Sequence, residues 1–274
     1  MKAVKFSDQI PISSHLKEFR DRLILVGVVV GLFFGVCFYF RDFFLTWLQE
    51  PLPAQFLDDL TFITPTEPFF TALKVSFMVS LFASMPVILF QVGAFVGPGL
   101  KIKEKKITAL FVLTGTLFFV AGGAFCYFLV LPLGLKFLLL FGAHYWKMAV
   151  TIGSYVSFVV KLTLAFAFAF QMPLVLVFLT KLGLVDTIKM KSCRKWVFLG
   201  CFVLSAILTP PDIVTQIMLA FPLYGLYEFG IVASFLFEDP ERRSEVLRNI
   251  REQKEARKAA AGKKSEDKGA HGTR

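Results

Sequence analysis

The sequence predicts an all-α, polytopic membrane protein with six transmembrane helices, and three observations support this. Of the 274 residues, 56% are hydrophobic and 18% are charged, whereas a soluble domain has about 25% charged residues. The mean hydropathy is +0.67. The apolar residues gather in runs, most of them long enough to cross the ~30 Å hydrocarbon core of a bilayer. Such runs must be helical, because backbone groups inside lipid have no other hydrogen-bond partners.

Six apolar runs follow one another between polar or Pro-containing segments. The first and third contain no charged residue, whereas Lys74, Lys161 and Glu228 interrupt the second, fourth and sixth. The runs cover residues 23–40, about 70–96, 107–135, about 154–180, 196–208 and 213 to about 237. A lysine precedes a proline by twelve residues in both the second and the fourth run, which predicts a lysine at the interface and a proline kink.

The fifth run is shorter than the others. Its thirteen residues rise only about 20 Å, less than the ~30 Å core. We therefore expect short fifth and sixth helices, joined by a Thr209-Pro210-Pro211-Asp212 turn that lies below the outer ends of the other helices. Gln216, one turn after Asp212, is then placed to dock a partner helix.

Basic residues are distributed very unevenly between the two sides of the predicted spans. The N-terminal segment, the second and fourth connections and the C-terminal tail together contain 25 Lys and Arg, and the other side contains 3. The positive-inside rule then places both termini in the cytoplasm and the 41–69 loop outside. We expect residues 1–237 to form the transmembrane domain. The charged tail, 238–274, has no aromatic residue and should be disordered or a solvated helix.

The sequence contains no motif for catalysis, metal binding or a cofactor. It has no zinc-protease, phosphate-loop or nucleophile-elbow pattern. The four Cys and three His are scattered, and small packing residues are the simplest interpretation of the Cys. The formal net charge of +10 follows the membrane topology, so it does not indicate nucleic-acid binding. We therefore expect neither an enzyme nor a cofactor.

Polar residues within the predicted spans are candidate functional sites, because they are costly in lipid. Gln171 lies about 15 Å deeper than Lys161 along the fourth helix. Its function is open: it could serve transport, or form only an interhelical hydrogen bond. Glu228 lies about 22 Å along the sixth helix, and it could equally be a functional carboxylate or one that reaches the inner interface.

Two acidic residues stand among basic residues on the cytoplasmic side. Glu18 precedes the first span, and Glu104 lies in the connection between the second and third spans. The alternatives are an i,i+4 ion pair of Glu18 with Arg22 and a solvated charge at Glu104. Physical reasoning alone favours these structural interpretations.

At these residues the sequence resembles the TatC family, the receptor subunit of the twin-arginine protein translocase. The resemblance extends from about residue 15 to 237. The motifs that carry it are His15-Leu-x-Glu18-x-Arg20-x-Arg22-Leu23, Pro68-Phe69-Phe70 with Lys74, Phe95-x-x-Pro98-x-Leu100, Ser154-Tyr155-x-Ser157-Phe158, and Thr209-Pro210-Pro211-Asp212 with Gln216.

The resemblance implies a multi-pass protein of the bacterial inner membrane with its helices in a concave, cupped arrangement. It implies binding of twin-arginine signal peptides of folded proteins at Glu18, Arg20, Phe95 and Glu104. It also implies docking of TatA/TatB-like single-span partners near Thr209 and Gln216, with several copies of the chain in the complex. A departure is Gln171, where many family members have Glu: an amide cannot titrate, whereas hydrogen bonding to a partner is retained.

Two other function classes remain open at this stage. A small-molecule or ion transporter would need intramembrane ion sites and usually inverted repeats. Here the two helices with the repeated lysine–proline spacing have the same predicted orientation, and only Gln171 and Glu228 are polar residues that could form an ion site. A purely structural scaffold would differ from a receptor in not binding a signal peptide directly.

Overall fold

The computed structural model of the protein describes residues 12–52, 60–96, 105–143, 150–181, 183–209 and 212–238, together with Ser244 and Arg248. Within these ranges the regular elements are helices, apart from one isolated parallel bridge between Thr61 and Thr151. The all-α class predicted from the apolar runs is confirmed.

Two helices form the N-terminal part. Helix α1, Ile12–Tyr39, begins eleven residues before the first apolar run, because the polar lead-in continues the same helix. Helix α2, Arg41–Gln49, follows after one residue. The sequence predicts a loop for this segment, although its aromatic residues recur at helical spacing.

The second and third spans differ in regularity. Helix α3, Glu67–Val96, is continuous and contains Pro86. The third span consists of α4, Lys105–Phe125, then a π-helical turn, Cys126–Val130, and then α5, Leu131–Ala143. Hydropathy could not predict the π turn, because the turn is as apolar as the helices on either side.

The fourth span is divided into α6, Ile152–Ala169, and α7, Met172–Lys181, with Phe170 and Gln171 in a turn between them. The break immediately precedes Pro173, which lacks a backbone N–H and whose ring clashes with the carbonyl four residues earlier. The predicted proline kink is therefore a helix break in this span.

The last two helices are α8, Thr187–Leu208, and α9, Ile213–Phe237. Helix α8 has 22 residues, since its first nine, which are largely basic and polar, precede the fifth apolar run. Helix α9 has 25 residues, enough to cross a bilayer. The prediction of a short sixth helix is therefore wrong, and the prediction of a short fifth helix applies only to the apolar part of α8.

Five described segments are long and apolar enough to span a membrane, and α8 is not among them. The span predicted at the fifth apolar run, and with it the count of six, stays a prediction. Helix α3 packs against α1, α4 and α6, and the core around it includes Val75, Leu131, Val159 and Phe166, each at most 1% exposed.

The chain divides into two compact units. The first contains residues up to Met172 and Phe198–Leu226, and the second contains Pro173–Val197 and residues from Tyr227 onward. The predicted tail lies outside the described residues, except for Glu238 and for Ser244 and Arg248, which are helical.

Candidate functional site

The candidate site begins where the N-terminal turns of α1 meet the last turns of α3. Nε and Nη2 of Arg22 both donate to Oε1 of Glu18, at 3.1 and 2.6 Å. The same guanidinium donates to Oε1 of Gln91 at 3.0 Å and to the carbonyl of Ala94 at 3.3 Å. The i,i+4 ion pair considered as an alternative for Glu18 is present, and Arg22 also joins α1 to α3.

An aromatic pair lies beside this arginine. The ring centroids of Phe19 and Phe95 are 5.5 Å apart, a separation typical of favourable aromatic pairs. Arg20 lies next to them but donates to Oδ1 of Asp21 at 2.7 Å. The structure thus places Glu18 and Phe95 at the same junction of α1 and α3, through Arg22 and Phe19, while Arg20 pairs with its neighbour at the exposed surface.

An open groove of about 500 Å³ runs along this corner of the protein. It is lined by charged side chains of both signs from α1 and by the Gln91 amide from α3. These groups can bind the backbone and the charged side chains of an extended peptide. Glu104 lies outside the described residues. The lining residues are Lys17, Glu18, Asp21, Arg22, Leu25 and Gln91.

Gln171 lies at the break between α6 and α7 and is 9% exposed. Its Nε2 donates to the carbonyl of Gly115 in α4 at 2.8 Å. The interhelical hydrogen bond that the sequence analysis weighed against a transport role is therefore formed. This bond needs a donor at position 171, which an ionised carboxylate cannot supply.

The side of the molecule that holds α2 contains a hydrogen-bonded cluster that the sequence analysis missed. The Glu67 carboxylate accepts the N–H groups of Ile63 and Gly153, at 2.9 and 2.8 Å. Lys74 Nζ donates to Ser157 Oγ at 2.8 Å, so this lysine has a hydrogen-bond partner on α6. The acidic residue before Pro68 was the only available signal in the sequence.

Thr209, Asp212 and Gln216 all make hydrogen bonds within the chain. Thr209 Oγ1 donates to the carbonyl of Ser205 at 2.8 Å. Asp212 Oδ1 accepts the N–H of Thr215 at 2.7 Å and so caps the start of α9. Gln216 Nε2 donates to the carbonyl of Phe202 in α8 at 3.1 Å. Pro210 and Pro211, and with them the predicted level of the turn, lie outside the described residues.

In the second unit, Glu228 of α9 forms an ion pair with Arg194 of α8, with 2.6 Å between Nη2 and Oε2. The hydroxyl of Thr187 donates to the carboxylate of Glu238. Glu228 is thus paired with a cation of its own chain, and both interpretations of this carboxylate stay predictions.

The chain is similar to known proteins over most of its length. The family described as "Sec-independent protein translocase protein (TatC)" matches residues 14–222. The chain is 40% identical over 222 residues to the Sec-independent protein translocase protein TatC of Campylobacter jejuni, which covers 80% of this chain and 91% of that protein. It is 36% identical over 240 residues to the TatC of Escherichia coli K12, which covers 87% of this chain and 93% of that protein.

A solved structure has the same fold. The crystal structure of a twin-arginine translocase receptor, TatC, superimposes with a TM-score of 0.74 at 37% sequence identity, and covers 81% of this chain and 99% of that one. The family consists of membrane-embedded, non-enzymatic components of a protein translocase. On the family match and on relatives of this identity and coverage, the chain belongs to the TatC family of the Sec-independent protein translocase.

Proposed function

We propose that this chain is the signal-peptide receptor and core scaffold of a twin-arginine translocase, and that it binds the twin-arginine motif on the cytoplasmic face. One observation supports this most directly. Glu18 and Phe95 come from motifs 77 residues apart in the sequence, and both lie at the junction of α1 and α3. Arg22 binds the Glu18 carboxylate and the carbonyl of Ala94, the residue before Phe95, and the Phe95 ring packs against Phe19, the residue after Glu18.

The chemistry of the groove suits an arginine-rich segment. A carboxylate binds guanidinium groups in a charge-assisted, directional geometry, and Glu18 already accepts two N–H groups from Arg22. A signal peptide would bring two further guanidinium groups to this corner. Glu104 is proposed as the second carboxylate and Phe95 as the apolar contact, while Arg20 shapes the exposed rim through its pairing with Asp21.

The proposed site can be tested by photo-crosslinking. A photoreactive residue at position 95 should crosslink to a precursor with an Arg-Arg motif, and much less to the same precursor with Lys-Lys. The matched control is position 32 on the same helix as Glu18, since Leu32 is 68% exposed and lies about 20 Å further along α1. Equal crosslinking of the two precursors at position 95 would disprove the receptor role.

The proposal extends to assembly and topology. TatA/TatB-like single-span proteins would dock beside Thr209 and Gln216, and several copies of the chain would form the complex in the bacterial inner membrane with both termini in the cytoplasm. The 25:3 distribution of basic residues supports this orientation. A cysteine introduced at position 21 should be protected from a membrane-impermeant thiol reagent in intact cells and labelled after permeabilisation.

A further inference from the structure

A cavity that shares no lining residue with the Glu18 groove lies between α2 and three spans. Its volume is about 400 Å³, which is within the size range of pockets that bind small ligands, and its wall is almost entirely apolar. All four contributing segments belong to the first unit. The residues used below are Trp47 of α2, Val120 and Ala124 of α4, Tyr127 and Phe128 of the π turn, and Thr163 of α6.

One end of the cavity, beside the C-terminal end of α2, holds a Trp and a Tyr, the residue types that are typical of a membrane interface. The rings of Trp47 and Tyr127 stack with centroids 4.2 Å apart, and Tyr127 Oη donates to the carbonyl of Trp47 at 2.6 Å. Tyr155, three residues into α6, donates to the carbonyl of Leu48 at 2.8 Å. Trp and Tyr concentrate where a membrane protein crosses from headgroups to hydrocarbon, so these contacts fix the C-terminal end of α2 at that level.

From this end the cavity extends into the hydrocarbon region. Its wall runs from Phe128 to Val120 along the third span, eight residues or about 12 Å. On α6 the lining residue is Thr163, which lies eight residues, again about 12 Å, deeper than Tyr155. The hydrocarbon depth of one leaflet is about 15 Å. The cavity is therefore oriented along the membrane normal and is nearly as long as one leaflet is deep.

The side of the cavity is open towards the bilayer. Phe128 is 71% exposed and Val120 is 47% exposed, and in a membrane these surfaces contact lipid. We propose that the cavity is a binding site for one acyl chain of a phospholipid, which enters from the leaflet that contains α2. The headgroup would lie beside Trp47, and the bound chain would hold α2 against the spans.

This site is distinct from the proposed receptor groove and does not depend on it. The acyl chain is favoured over a protein helix because the cavity is a slot bounded on one side by α2, with a volume that suits a single chain. A helix is about 10 Å wide with its side chains, so it does not suit this slot.

The test uses fluorescence quenching by brominated lipid. The chain has three Trp, so replacing Trp146 and Trp196 with Phe leaves Trp47 as the only fluorophore. In vesicles containing a small fraction of phosphatidylglycerol brominated on its acyl chains, Trp47 should be quenched more than random contact with that fraction allows. Ala124→Phe fills the cavity and should abolish this excess, whereas Leu129→Phe should retain it. Leu129 is 47% exposed on the same π turn but does not line the cavity.

Native mass spectrometry provides a second readout on the purified chain. One phospholipid adduct should survive on the wild type and on Leu129→Phe and be lost from Ala124→Phe. If Ala124→Phe does not fold, Val120→Phe replaces it as the filling variant. The proposal is overturned by equal quenching in filled and control variants, by quenching no greater than random contact, or by quenching that disappears when a second copy or a single-span partner is added.

Discussion

Nη1 of Arg22 donates a hydrogen bond to Oε1 of Gln91 at 3.0 Å, across 69 residues of sequence. Because the same guanidinium holds the Glu18 carboxylate, Gln91 fixes where that carboxylate lies relative to the end of α3. The geometry of the proposed receptor site therefore depends on an uncharged residue that the motifs of the sequence do not include.

The first prediction concerns this residue. Gln91→Leu removes the acceptor for Nη1 and should weaken crosslinking of a twin-arginine precursor at position 95, because Arg22 and Glu18 lose their fixed orientation. The free energy of unfolding should change by only about 1 kcal/mol, since the group is partly exposed. Val92→Ile is the control, because Val92 is 48% exposed on the same helix. Undiminished crosslinking in Gln91→Leu would show that Gln91 does not position the site.

The spans were predictable because a segment that crosses the bilayer needs a long apolar run, which hydropathy detects. The runs ending at 96, 208 and 237 end where α3, α8 and α9 end. The starts of α1 and α8 were missed by eleven and nine residues, because polar turns continue a helix beyond the lipid without any hydropathy signal. Helix α2 was missed because the Pro- and acid-rich segment as a whole resembles a loop.

Only some of the contacts around the proposed site were predictable from the sequence. Spacing predicted the Glu18–Arg22 pair, whereas the bonds of Arg22 to Gln91 and of Gln171 to Gly115 connect helices far apart in sequence. Such pairings depend on how the helices pack, which a single sequence does not reveal.

The second prediction uses the Gln171–Gly115 bond. Gln171→Leu should fold and lose only about 0.6 kcal/mol of stability, the average for such bonds in membranes. Gln171→Glu should be less stable than Gln171→Leu at neutral pH, because an ionised carboxylate is costly in lipid and has no proton to donate to the Gly115 carbonyl. Met172→Leu, at a 42% exposed neighbour, is the control. The stabilities of the three variants are measured by thermal unfolding in detergent. A Gln171→Glu variant as stable as the wild type would contradict the prediction.

The third prediction tests the close approach of α4 and α6. A Cβ at Gly122 would lie 2.7 Å from the Phe166 carbonyl oxygen and 2.9 Å from the Ala167 Cα. Since both obstacles are backbone, Gly122→Ala should push the helices apart and cost about 1–3 kcal/mol. Gly27→Ala on α1, where a Cβ meets nothing within 4 Å, should cost nothing. The midpoints of thermal unfolding of the two variants are compared, and equal midpoints would rule out the tight contact.

The fourth prediction concerns the start of α9. Asp212 accepts the N–H of Thr215, so Asp212→Ala should destabilise the first turn by about 1 kcal/mol. Asp212→Asn keeps an accepting oxygen and should retain most of that stability. Hydrogen exchange of the amides at 214–216 measures the effect locally. If the Asn and Ala variants exchange equally fast, the side chain does not cap this helix.

The last prediction places the partner helix. Gln216 is half-buried and uses one N–H on the Phe202 carbonyl, while an amide side chain has further donor and acceptor capacity. Ile213 and Ile217 on either side are 75% and 39% exposed, so a single-span helix can pack along this edge of α9 and bond to the remaining amide groups. That bond adds only about 0.6 kcal/mol, so recognition must rest mainly on close packing.

A cysteine at position 216 and a cysteine series in the partner span should therefore form a disulfide in membranes, with a maximum once per helical turn of the partner. The matched control is a cysteine at position 232 of the same helix, where Val232 is 57% exposed but lies about 24 Å further along α9. Because the partner is proposed to dock at Gln216 through side-chain contact, Gln216→Leu should reduce disulfide formation at a neighbouring position such as 213. Crosslinking at 232 without crosslinking at 213 or 216 would place the partner elsewhere on α9.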